Sequence, residues 1–249
     1  MLPSDPLFSD QGSVRDFTTT HWSVVLLAGE EHSSQSARAL ETLCRTYWYP
    51  LYSFVRRQGY GAPSAQDLTQ EFFSRLIAGD GLESVDRSKG KFRSFLLASM
   101  KHLLANEWNR LHTQRQGGGH VHFSLDAASA EERYRLDPAD ELTPEKIFER
   151  RWAETLVDAV TRRLQEEYAG AGMARRFEGL KAFLLSGDER TSYAEAARCL
   201  DISEGAVRTA IHRLRQRYGE LFRAEIAQTV TGLAEMQEEI RHFLKVLGG

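Results

Sequence analysis

The stretch from Tyr193 to Tyr218 limits the fold more than any other. It reads YAEAARCL, then DIS, then EGAVRTAIHRLRQRY. Ala194, Ala197 and Leu200 recur at helical spacing, which predicts a short helix. Ser192 stands where an N-cap belongs, and Glu195 stands where a capping box places an acid. Asp201-Ile202-Ser203 predicts a tight turn, with Ser203 capping a second helix. In that helix Val207, Ile211 and Leu214 face inward, which leaves Arg208, His212, Arg213 and Arg215 on or near the outward faces. Two helices about a short turn, the second of them basic, make a helix-turn-helix. Such a helix fits the DNA major groove, where Arg pairs bidentately with guanine and a cation holds phosphate. A plain helical hairpin with a solvated basic face has the same periodicity. Small residues, turn and basic helix occurring together favour DNA binding.

The rest of the chain is also patterned for helices. Prolines are few (six), amphipathic stretches of helical length dominate, and 41% hydrophobic residues suffice for a core, so an all-α protein of one large or two small domains is expected. The net charge of −3 does not mark a nucleic-acid binder, so any such contact must come from local patches. Two basic patches exist: Lys89, Lys91, Arg93, Lys101, Arg110 and Arg115 in the middle, and Arg208, Arg213, Arg215, Arg217 and Arg223 near one end. An acidic stretch from Asp126 to Glu145 separates them. Cys44 and Cys199 each fall within a helical pattern and read as buried free thiols. No apolar run is long enough to span a bilayer, and Met1 to Asp16 carries no signal-peptide core, so a cytoplasmic protein is expected.

Residues 1–20 read as a loose tail, followed by a helical start at His21–Leu27. The pattern Leu40, Leu43, Tyr47, Leu51, Phe54 and Val55 predicts a helix over 36–58 that Pro50 kinks or divides. After a turn at 59–63, Ser64 reads as the N-cap of a helix to Leu76, with Asp67 at its third position. Leu68, Phe72 and Leu76 form its apolar stripe, and Asp67, Gln70, Glu71 and Arg75 lie off it. Loop residues then lead to a long helix over 94–112, in which Phe95 and Trp108 interleave with Lys101, His102, Asn106 and Arg110. Rings and cations so mixed suit single-stranded nucleic acid, because bases stack while cations track the backbone. On spacing alone, the reading that puts Phe92, Phe95 and Trp108 in the core is the stronger one. From 114 to 143 the chain reads as an extended linker. Its three glycines (117–119) lack the strand and Lys-Ser/Thr of a phosphate loop, and His120 and His122 lack a third metal ligand. Pro144 opens a helix to about Tyr168, and a further helix spans 177–185. Ile226, Val230, Leu233, Met236, Ile240, Phe243 and Leu247 predict a tail helix that packs on its own chain or offers a regulatory interface. No catalytic Ser/His/Asp set, metal spacing or nucleotide loop stands out, so neither enzymatic activity, cofactor nor metal is expected.

Three motifs, in order, carry a resemblance. Ala65-Gln-Asp-Leu-Thr-Gln-Glu-Phe-Phe73 resembles the Asp-Ala-Glu-Asp-Leu-x-Gln-Glu-x-Phe helix of the extracytoplasmic-function sigma factors of bacterial RNA polymerase. Phe95-Leu96-Leu97 stands where that family has Trp-Leu, and Tyr193–Ala197 with Gly205–Arg213 is similar to its region 4 helix-turn-helix. The resemblance spans about Leu40 to Arg223. It implies a region 2-like domain at 21–112, a linker at 113–143, a region 4-like domain at 144–224 and an extension at 225–249. It further implies that Asp67, Gln70 and Glu71, backed by Phe72 and Phe73, dock on the β′ clamp of core polymerase. The segment from about Ala78 to Arg93, including Lys91, would read a flipped −10 base, and Phe95, Lys101, His102, Asn106 and Arg110 would hold the opened DNA. Arg208, Thr209, His212 and Arg213, with Arg215 near them, would bind the −35 element of promoter DNA. The acidic linker would lie in the RNA channel. Ser64 and Gln66 replace two family acids, which suggests control by a Ser/Thr kinase acting on Ser64; an anti-sigma factor is the other candidate partner that the resemblance implies. Ala210 replaces a family Arg, which predicts weaker −35 contacts. The alternative is a stand-alone helix-turn-helix regulator with a helical sensor domain, and the Asp67–Phe73 helix argues against it.

Overall fold

The computed structural model describes residues 34–78, 91–113, 127–135, 142–185, 192–230 and 232–248. Among them all regular structure is helical, in ten helices, which agrees with the all-α expectation. They are α1 (Ser34–Arg57), α2 (Ala62–Ala78), α3 (Phe92–Thr113), α4 (Ala127–Arg135), α5 (Pro144–Gly170), α6 (Ala174–Leu180), α7 (Ala182–Leu185), α8 (Tyr193–Leu200), α9 (Glu204–Ala227) and α10 (Leu233–Gly248). The helical start at 21–27, the glycine triplet and His120 and His122 lie outside the described residues.

Two compact units form. One holds residues 156–225; the other joins the described residues up to Thr155 to those from Ile226 onward. In the second unit α1 passes through Pro50 undivided, contrary to one form of the expectation. Pro50 removes one backbone donor, but Tyr47, Trp48, Tyr49, Leu51 and Tyr52 around it are all buried, and their packing holds the helix. α1 packs on α2, and α2 on α3. The core unites Leu43, Tyr47, Leu51 and Phe54 of α1 with Leu68 and Phe72 of α2 and Phe92, Leu96 and Met100 of α3.

α2 begins earlier than the sequence suggests. The carbonyl of Gly61 accepts from Ala65 N–H at 2.9 Å, so Ser64 lies exposed inside the first turn and is not the cap. The linker also departs from expectation. Its acidic residues include a helix, α4, that docks on α1. Tyr52 Oη donates to Glu131 Oε2 at 2.5 Å, and Arg56 grips the same carboxylate at 3.0 and 3.1 Å. Arg133 stacks over the Tyr49 ring, and Arg56 over Tyr134. α4 holds through ion pairs and ring contacts, with Ala130 the one buried apolar residue among those of its residues whose burial is described, which is why hydrophobic spacing does not reveal it.

α5 starts on Pro144, with Thr143 Oγ1 accepting from Lys146 N–H. The helix ends at Gly170, and Gly172 in the turn beyond it has a φ of +72°, which suits glycine. In the unit of residues 156–225, Val160, Leu164, Phe177, Leu180, Val207, Ile211 and Leu214 make the core. Gly179 lets α8 approach α6: a Cβ there would stand 2.9 Å from Leu200 Cδ2. The single helix expected at 177–185 is two short ones, α6 and α7, either side of Lys181. Cys44 is half-buried and Cys199 is exposed, which corrects the expectation of two buried thiols.

Candidate nucleic-acid interface

α8, the turn and α9 form as the sequence predicts, with local adjustments. Ser203 Oγ accepts from Ala206 N–H at 3.2 Å and caps α9. Ser192 has extended backbone, but its hydroxyl makes no capping bond, so the box with Glu195 is absent. The buried alanines of α8 are Ala196 and Ala197; Ala194 is exposed. Asp201 closes α8 in the left-handed region, at φ 55° and ψ 47°. It is the single non-glycine residue with positive φ among those described. Asp tolerates this conformation better than most side chains, and the N–H of Ile202 then reaches the Ala197 carbonyl at 3.1 Å.

On α9, Val207, Ala210, Ile211 and Leu214 are buried. Ala210 therefore faces the core, and the missing Arg there removes no outward contact. Arg208, Thr209 and His212 are exposed on one face, one turn apart, and Arg213 is half-buried beside them. Arg215 has a different task. Its Nε and Nη2 donate to the Phe183 carbonyl at 2.9 and 2.7 Å, tying α9 to α7. Arg217 is likewise held by Glu167 at 2.8 and 2.9 Å, and these hydrogen bonds push its pKa further up. Sequence reasoning missed Tyr193 as a partner. Its ring stacks on Phe183 at 5.3 Å and 21°, and the Arg208 guanidinium lies 5.4 Å from its centre. The Tyr thus organises the first cation of the exposed face.

The second candidate surface is on α3. Phe92, Leu96, Met100, Leu103 and Leu104 are buried, and Ala98, Lys101, His102, Ala105, Asn106 and Asn109 form the exposed stripe. Trp108 is 57% exposed, so it does not belong to the core, and Phe95 is half-buried against Phe92 at 6.0 Å. Arg110 lies further along the same helix. Lys101 pairs with Glu145 at 2.7 Å, an exposed contact that a phosphate can replace.

Lys91 and Arg93 are placed otherwise. Arg93 is buried: its Nε donates to Glu239 Oε1 at 2.6 Å, its Nη1 to Glu149 at 2.8 Å, and its guanidinium lies 5.2 Å over the Trp152 ring. Lys91 Nζ lies 2.9 Å from Glu239 Oε2. Neither cation is on an open face. A buried ion pair that loses one member costs roughly 3–5 kcal/mol, against ~0–1 kcal/mol for an exposed pair, so the internal partners win. Burial, then the Arg93 charge, lowers the pKa of nearby His242. A signal for this site was present in the sequence: Glu239 falls between Met236 and Phe243 on the apolar stripe of the tail helix, where an acid needs a cation.

On α2, Asp67 is exposed, and Glu71 is half-buried and paired with Arg75. Gln70 is buried rather than off the stripe, and Phe72 and Phe73 are buried edge to face. No group of metal-binding side chains occurs among the described residues, and no described helix is long and apolar enough to cross a membrane.

Comparison with known proteins adds one match, to the family described as Sigma-70, region 4, over residues 181–217. Nothing among curated proteins or solved structures matches. The matched span runs from the end of α6 through the capped turn to Arg217, and so contains Tyr193, Arg208, Thr209, His212 and Arg213. Over these residues the chain is similar to region 4 of the sigma-70 family, which supports a sigma factor and is consistent with the extracytoplasmic-function type.

Proposed function

We propose that the protein is a promoter-specificity subunit that docks on core RNA polymerase, reads a −35 duplex with α9 and holds opened promoter DNA along α3. The observation that carries this reading is the exposed Arg208, Thr209 and His212 on the capped second helix of the region 4 match. Arg208 and Arg213 supply cations for guanine and phosphate, and Thr209 and His212 supply shorter polar contacts. On α3, Trp108 offers a ring for stacking, and Lys101 and His102 offer charge and donors. The polymerase supplies the chemistry, and this chain supplies the address.

In this reading Asp67 is the outward contact of α2 with the β′ clamp, and the buried Phe72 and Phe73 hold its helix in place. Ser64 is exposed in the first turn, where a phosphate adds about −1.5 to −2 charge next to the helix N-terminus. That placement favours a Ser/Thr kinase over an anti-sigma factor as the controlling partner. Purified protein mixed with core polymerase should co-elute on size exclusion, and Asp67→Lys should abolish co-elution. A variant that co-elutes as well as the parent would remove α2 from the interface.

A further inference from the structure

The C-terminal helix holds the start of the strand-binding helix. Lys91 is the last residue before α3, and its carbonyl accepts from Ser94 and Phe95 at 3.0 and 3.2 Å. Two cations thus stand at a helix N-terminus, where the backbone dipole disfavours them. Glu239, 146 positions from Arg93, answers both: Oε1 takes Arg93 and Oε2 takes Lys91. One turn later Phe243 meets Trp152 edge-on at 6.2 Å, and Trp152 lies under the Arg93 guanidinium. Glu149 of α5 closes the other side of Arg93.

From this arrangement we infer that Glu239 is a positioning residue for promoter opening: by clasping Lys91 and Arg93 it fixes the first turn of α3, whose exposed stripe receives the separated strand. This rests on the function proposed above. The clasp is a joint and not a mask over a DNA site. Glu239 is 1% exposed, and a phosphate replacing it would have to enter a position closed to solvent and leave the carboxylate unpaired. The tail therefore supports opening and does not inhibit it.

The test uses the full chain with core polymerase on a promoter obtained by mapping its start sites. Opening is read as permanganate reactivity of thymines, on duplex and on a pre-opened template. Glu239→Gln keeps shape and removes the charge. It should lower duplex opening at least tenfold, leave co-elution with core intact and recover most of the loss on the pre-opened template. Lys91→Met, which leaves Arg93 paired, should lower duplex opening about threefold and covers the case in which Glu239→Gln fails to fold. Opening that is unchanged or increased in a folded variant overturns the inference, as does a loss equal on both templates. Wild-type protein that co-elutes with core yet opens no duplex would sink the function proposed above and the inference with it.

Discussion

Arginines on α9 have different fates. Arg208 faces outward over Tyr193, and Arg215 and Arg217 are held by a carbonyl and a carboxylate of other helices. Periodicity distinguishes the outward Arg208 but not the tethered Arg215, because its acceptor, Phe183, lies elsewhere in the chain. An exposed cation–π contact contributes ~0.5–1 kcal/mol, so Tyr193→Leu should weaken binding of a −35 duplex about two- to fivefold, and Tyr193→Phe should not. Fluorescence anisotropy would decide, and equal affinity for the Leu variant would contradict the positioning of Arg208. Arg215→Ala should instead lower stability by ~1–2 kcal/mol in a urea titration, with sequence preference unchanged. The two thiols also differ. Burial, aided by the nearby Glu41 charge, pushes Cys44 up to about 12, whereas Cys199 is exposed. At pH 8 the native protein should give one fast reaction with a thiol reagent, abolished by Cys199→Ser; two fast thiols would show that Cys44 is not shielded.

At the scale of elements, most helices with an apolar stripe were legible to within a few residues, but the tail helix starts at Leu233, and Ile226, which opened its expected pattern, belongs to α9. α3 starts two residues before its expected start and α5 at its expected Pro144, because core spacing and Pro at the first helical position act locally. Elements held by charge were not legible. α4 reads as an acidic linker until Tyr52 and Arg56 are found on Glu131. Burial alone would raise the Glu131 carboxyl, but the hydrogen bonds from Tyr52 and Arg56 and the Arg56 charge outweigh it and hold it below the ordinary 4.5. A depressed carboxyl stabilises the folded state above its unfolded pKa, and that contribution fades as pH falls through the lower folded value. Amides of 127–135 should therefore lose protection from hydrogen exchange below about pH 4.5, and Glu131→Gln should remove this dependence. Protection that is flat with pH in the parent would contradict a Glu131-held α4.

At the scale of the molecule, chain order and spatial order part company. The tail from Ile226 groups with residues before 156, although the sequence suggests an appended extension. Its apolar spacing predicted packing but not the partner, since the decisive contact is an acid buried among apolar neighbours against cations far away in sequence. The region 4 helices were legible as a functional unit, because their turn, cap and basic face lie within a few residues of one another. The exposed stripe of α3 was only half legible: Lys101, His102 and Asn106 stood out by charge and polarity, but spacing assigned Trp108 to the core. The central claim is that this chain gives core polymerase a promoter address. Core polymerase with and without the protein would transcribe a library of genomic fragments, with the 5′ ends of the transcripts sequenced. The account predicts new start sites that share two spaced elements and that disappear with Arg208→Ala; transcripts identical to those of core alone would contradict it.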